Sequence, residues 1–125
     1  VGIRSVDGEE VPKLDPERIF YAHALAACGR DRDWFEQVSA RLSQDVYVTI
    51  DLDCFDPSIM PSTGTPEPGG MNWYQVTGLL RYVAERHRIV GFDVVELLPR
   101  ASDPAPDFLA AKLVYNVLSS IFANR

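Results

Sequence analysis

The chain has 125 residues, 46% of them apolar and 24% charged, with a net charge of -6. That length can bury one core, the acidic balance argues against a general nucleic-acid binder, and no apolar run approaches the roughly 20 residues of a membrane span. A single domain over residues 1–125 is the expectation. No basic start followed by an apolar stretch is visible. Cys28 and Cys54, with no CxxC spacing, read as free thiols, and the expected compartment is the cytoplasm.

In chain order, "VGIRS" (1–5) predicts a short strand ending at the turn pair Asp7-Gly8. Residues 16–28 predict a helix. A clearer helix runs from Asp31 to Ser43, where Trp34, Phe35, Val38 and Leu42 recur at helical spacing and Asp31 or Asp33 can cap the first turn. "DVYVTID" reads as a buried strand. The stretch from Asp56 to Gly70 is dense in turn residues. Asn72 is the expected N-cap of a helix reaching about Arg88, with Val76, Leu79, Leu80 and Val83 on its apolar face. "IVGFDVVEL" (89–97) predicts a second buried strand. A loop over Pro99–Pro106 precedes a last helix, Asp107–Ala123, with Phe108, Leu109, Leu113, Val117, Leu118 and Ile121 inward.

Strands alternating with helices imply βαβ units and a mostly parallel sheet. Ligands of such sheets bind beyond the carboxyl ends of the strands, which picks out Asp51–Asp56 and Glu96. On a strand, i and i+2 share a side, so Asp51 and Asp53 are expected to project together. Two convergent carboxylates suit a hard or borderline dication such as Mg²⁺ or Mn²⁺; a solvated turn or a helix cap is the plainer alternative. A calcium loop of the EF-hand type fails, because its fifth and sixth positions are Phe55 and Asp56. A phosphotransferase using Asp51 as nucleophile is disfavoured by Phe55, and a non-catalytic assembly or metal-storage domain stays open.

"TIDLDCFDPSIMPSTGTPEPGG" resembles the signature of the ureohydrolases, the arginase–agmatinase family, in which S-x-D-x-D-x-x-D-P precedes a P-x-T-G-T-P and G-G loop. The match falls on Asp51, Asp53, Asp56, Pro57, Pro61, Thr63, Gly64, Thr65, Pro66, Gly69 and Gly70. "GFDVVELLP" is similar to the family's G-x-D-h-x-E-x-x-P strand end, and "VGIRS" to the strand that opens its carboxyl-terminal half. The resemblance implies a three-layer α/β/α fold with a mostly parallel sheet. It also implies a binuclear manganese centre, whose bridging hydroxide attacks the guanidinium carbon of a small substrate and releases urea. Metal binding makes such a hydroxide accessible by lowering the pKa of water well below its bulk value. By position, Asp51 and Asp53 are implied manganese ligands. Glu96 is implied to receive the guanidinium, for which a fork-to-carboxylate pair is the natural geometry, and Thr65 to lie beside the substrate. Asp56 reads as a turn-former, Asp93 as a group bonded behind the metal ligands or a buried hydrogen-bonding group, Cys54 as a small buried thiol, and His87 as a surface residue at a helix carboxyl end.

The resemblance places the remaining metal ligands and a general acid–base His in upstream segments like G-G-x-H-S/T and D-A-H-x-D. Neither occurs here. The expectation is therefore a carboxyl-terminal half that forms no urea alone and self-associates, with trimers or hexamers implied by the family. The "PEPGG" loop looks more like agmatinases than arginases. Agmatine is the first expected substrate, with arginine, guanidinobutyrate and formiminoglutamate behind it.

Overall fold

The computed structural model describes residues 1–28 and 30–123. Two parallel strands, β1 (Asp45–Asp51) and β2 (Arg88–Val95), pair over their whole length, with a register shift between Val46 and Tyr47. Helices α1 (Ala22–Ala27) and α2 (Asp31–Ser39) precede β1; α3 (Trp73–Ala84) is the crossover to β2, and α4 (Ala105–Ala123) follows. A parallel pair needs such a crossover, because a tight turn cannot return the chain to run in the same direction. The register starts at a forked ion pair: Arg88 Nε and Nη2 donate to the two Asp45 oxygens at 2.7 and 2.5 Å.

Helices cover one face of the sheet. Val48 and Ile50 of β1 lie opposite Phe92 and Val94 of β2. These four join Trp34, Phe35, Val38, Leu80, Leu113 and Val117 in one core. The other face carries Tyr47 and Thr49, and Tyr47 is 60% exposed. The two runs are therefore not the fully buried strands expected. β1 alternates in burial with period two, as a strand covered on one side does, whereas β2 alternates only at its start and is part-buried from Gly91 to Val94. The sheet and one helix layer of the expected three-layer arrangement lie within the described residues.

Several local expectations are corrected. Residues 1–5 form no regular strand, only a parallel bridge from Ile3 to Tyr21. The helix expected over 16–28 splits into a 3₁₀ turn at Pro16–Arg18, extended residues around Ile19, and α1. α2 ends at Ser39, and its cap is Arg30, with no side-chain bond. Asp31 is used otherwise: its Oδ1 accepts from Trp34 Nε1 at 3.2 Å and from Gln75 Nε2 at 3.2 Å. α3 begins as expected at Asn72, whose side chain accepts from Gln75 N–H while Gln75 accepts from Asn72 N–H, a reciprocal capping box. It stops at Ala84 because Arg88 already belongs to β2, its N–H donating to Gln44 O at 2.8 Å. On α4, Leu113 and Val117 are fully buried, whereas Phe108 and Leu118 point outward at 73% and 39% exposure.

His87 does more than face solvent near a helix end. Its Nε2 lies 2.7 Å from Ser39 Oγ and its Nδ1 2.9 Å from Ser43 O, stapling the end of α2 to the turn before β2.

Candidate metal and substrate site

β1 ends at Asp51, and the chain turns at once into a 3₁₀ turn, Leu52–Cys54. Strand alternation therefore does not carry Asp53 to the side of Asp51, contrary to the expectation. Instead Asp51 Oδ1 accepts the Asp53 N–H at 3.0 Å, capping the turn and drawing the two residues together. Burial pushes the Asp51 carboxyl up, the Asp53 N–H pulls it partly back, and the charges of Asp53 and Glu96 add to the rise. Glu96 follows directly on Val95, the residue of β2 that pairs with Asp51.

Asp53 is held from two sides. Thr65 donates its hydroxyl to Asp53 Oδ2 at 2.9 Å. Arg4 Nη2 lies 3.7 Å from Asp53 Oδ1 and donates to the Asp53 carbonyl, while Nη1 donates to Cys54 O at 3.1 Å. Arg4 was not singled out from the sequence, where a lone Arg in an apolar stretch gives no sign of a partner 49 positions away.

The loop that carries Thr65 is closed at its neck. Met71 N–H donates to Cys54 O at 2.8 Å and Asp56 N–H to Met71 O at 3.0 Å. Gly70 sits against this neck, where a Cβ would come within 2.4 Å of Phe55 C and Asp56 N. Asp56 stays inside the loop. Its carboxylate accepts Ser58 N–H at 3.0 Å and Gly69 N–H at 2.9 Å, bonds that hold it below the usual carboxylate range. The far side of the loop is tied to the tail of β2, with Leu98 N–H donating to Ser62 O at 2.8 Å and Arg100 Nη2 to Pro61 O at 2.8 Å.

Glu96 has φ +65°, the left-handed region, and is the non-glycine residue with positive φ among those described. An L-residue there carries backbone strain, of order 1–3 kcal/mol. Asp93 lies away from this cluster, accepting from Tyr47 OH at 3.0 Å on the open face of the sheet. Cys54 is half-buried, and burial together with the Asp51 charge raises its thiol to about 12.

An apolar groove of about 290 Å³ runs along β1 and reaches Asp51 and Cys54 at its end. A larger cavity of about 530 Å³ lies at the opposite ends of the strands, beside Arg88, and holds none of these residues. Among the described residues no group of three or more His, Cys, Asp or Glu side chains converges on a metal position. The donors fit manganese in kind, being hard carboxylate oxygens. They do not fit in number, since a catalytic metal usually takes at least three protein ligands.

A two-stranded parallel sheet with an α crossover, and acidic residues beyond the carboxyl ends of its strands, defines an α/β protein. The arginase family model matches residues 1–119, and the chain belongs to that family. It is 39% identical over 121 residues to the N(1)-aminopropylagmatine ureohydrolase of Thermus thermophilus, covering 94% of this chain and 40% of that protein. To the agmatinase of Pyrococcus horikoshii it is 36% identical over 119 residues, again 94% against 40%. Among solved structures, the agmatine ureohydrolase of Thermoplasma volcanium superposes with a TM-score of 0.81 at 34% identity, over 96% of this chain and 40% of that one. The proclavaminate amidino hydrolase of Streptomyces clavuligerus gives 0.85 at 29% identity, over 100% and 43%. The fold is the arginase α/β fold, and the chain spans well under half the length of these relatives.

Proposed function

We propose that this chain supplies the Asp51–Asp53 and Glu96 part of the active site of a manganese-dependent amidine hydrolase that releases urea from a small guanidino amine, agmatine first. The observation that carries this reading is the placement of Asp51, Asp53, Thr65 and Glu96 beyond the carboxyl ends of adjacent parallel strands, in a chain whose relatives include proteins named agmatinase and ureohydrolase. Asp51 and Asp53 are metal ligands in this reading, Thr65 fixes Asp53 and lines the substrate side, and Glu96 pairs with the guanidinium. A manganese pair, when bound, supplies the activation of water. The chain's own residues bind, orient and balance charge. The wider reading is of a cytoplasmic homo-oligomer, its association supported by the outward Phe108 and Tyr115 on α4.

The test is urea release from agmatine, with arginine and guanidinobutyrate as comparisons, by the full-length protein containing this chain and reconstituted with Mn²⁺. Asp53→Ala and Glu96→Gln are expected to lose roughly a hundredfold or more, the scale of a misplaced or missing reacting group. Undiminished turnover in either variant overturns the reading. The 125-residue chain alone, with two carboxylates, is expected to release none.

A further inference from the structure

Arg4 leaves a segment whose backbone is fixed before the side chain begins. Gly2 N–H donates to Phe20 O at 2.8 Å and Ala22 N–H to Ile3 O at 2.9 Å. Gly2 has φ +81°, and a Cβ there would press on Met71 Cε at 3.1 Å. The segment is thus clamped between residues 20–22 and the closing residue of the loop.

From that base the Arg4 side chain, 9% exposed, reaches under the 3₁₀ turn. Its hydrogen bonds go to the carbonyls of Asp53 and Cys54, while the Asp53 carboxylate stands 3.7 Å away, an ion pair without a hydrogen bond. The guanidinium therefore acts first on the backbone of the turn and only second on the charge. Its neighbour Ser5 donates Oγ to Glu67 Oε1 at 2.7 Å. Two consecutive residues thereby hold both the turn that bears Asp53 and the loop that bears Thr65. The circuit closes where Thr65 meets Asp53.

We propose that Arg4 is a positioning residue that fixes the 52–54 turn and so aims the Asp53 carboxylate. Its consequence for metal binding rests on the reading of Asp53 given above; its effect on the turn does not. A planar fork can hold two carbonyls and face a carboxylate at once, which a lysine ammonium on a flexible stem cannot.

The experiment is residue-resolved amide exchange by NMR on the whole chain without metal, comparing wild type, Arg4→Met and Arg4→Lys. The Phe55 and Met71 amides are expected to exchange about tenfold faster or more in both variants, as loss of a charged hydrogen bond predicts. Amides of β2 between Val90 and Val94 keep their rates. Unchanged exchange in the turn overturns the proposal, as does equal acceleration in β2, which marks general loosening. So does wild-type protection in Arg4→Lys, which would make charge alone sufficient. Mn²⁺ is then added and its relaxation broadening read at residues 51–54. Weaker broadening in Arg4→Met than in wild type supports the proposal, and stronger broadening overturns it, since Arg4 would then be a competing cation. If Mn²⁺ broadens nothing there even in wild type, the metal reading of Asp53 fails while the exchange result still decides the role of Arg4.

Discussion

Thr65 donates its hydroxyl to the Oδ2 of Asp53 at 2.9 Å, joining the tip of an exposed loop to the turn at the end of β1. Because the bond is exposed, its loss is expected to cost little stability, about 1 kcal/mol at most. Its effect belongs in the site. Thr65→Val should melt close to wild type yet bind Mn²⁺ more weakly and release urea more slowly in the full-length protein. Thr65→Ser, which keeps the donor, should recover most of both. Melting curves beside metal titrations separate the two effects.

Asp51 gives a pH signature whose sign can be worked out. Its carboxyl is raised, chiefly by burial, so the folded chain holds that proton more tightly than the unfolded chain. The stabilisation from the protonated form is complete below the ordinary value of 3.8 and is lost as pH rises through the raised value. Near neutrality the ionised group is held at a cost. Asp51→Asn keeps the acceptor for the Asp53 N–H and removes the charge. It should therefore melt higher than wild type near neutral pH, with the difference closing on acidification. A pH series of thermal melts without metal checks it, and a difference that grows toward acid contradicts it.

The two thiols should separate in a labelling experiment. Cys28 is exposed, whereas Cys54 is half-buried with its thiol pushed up to about 12. Since the thiolate is the reactive form, iodoacetamide near neutral pH should modify Cys28 and leave Cys54 largely intact until the chain unfolds. Peptide mass mapping over a time course reads both sites at once.

Gly70→Ala should be severe for a residue on the surface of a loop. The added Cβ would fall 2.4 Å from backbone atoms of Phe55 and Asp56, which no rotamer change relieves. We expect about 3 kcal/mol of destabilisation, the upper range for an overpacked site. Gly64→Ala in the same loop, where a Cβ would meet nothing within 4 Å, should be mild by comparison. Denaturant melts of the pair test the contrast.

Glu96 holds a left-handed backbone, so Glu96→Gly should be no less stable than wild type even though a glycine adds freedom to the unfolded chain. Glu96→Gln keeps the strained backbone and should not gain. Both should lose guanidino turnover in the full-length protein. A stable, inactive Glu96→Gly would mean that the strain is held at this position for the carboxylate.

Much of this was legible along the chain because the signals were local. The β-branched runs gave β1 and β2, Asn72 gave the helix start, and the ends of the two strands marked Asp51–Asp56 and Glu96, while Thr65 came only with the resemblance of its loop to the family signature. What escaped depends on distant packing. Asp53 left the strand because Asp51 captured its N–H, so the reason for their proximity is a cap and not a pleat. Arg4 has no local sign of its role, since its partners lie about fifty positions later. Phe108 and Leu118 fit an apolar stripe, but which part of that stripe meets a neighbour is decided by the sheet face that α4 finds. The end of α3 was missed because strand pairing at Arg88 outcompeted a helical pattern that could have run on.

The neck between Cys54–Asp56 and Met71 makes the intervening residues a module. Their two ends are already hydrogen-bonded to each other, so the strand before and the helix after do not depend on what lies between for their spacing. Such a segment can be exchanged with its counterpart from a relative only if Asp56 and Gly70 are kept at its hinges together with the buried Met60, Ser62 and Thr63 and the bonds that Leu98 and Arg100 make to it.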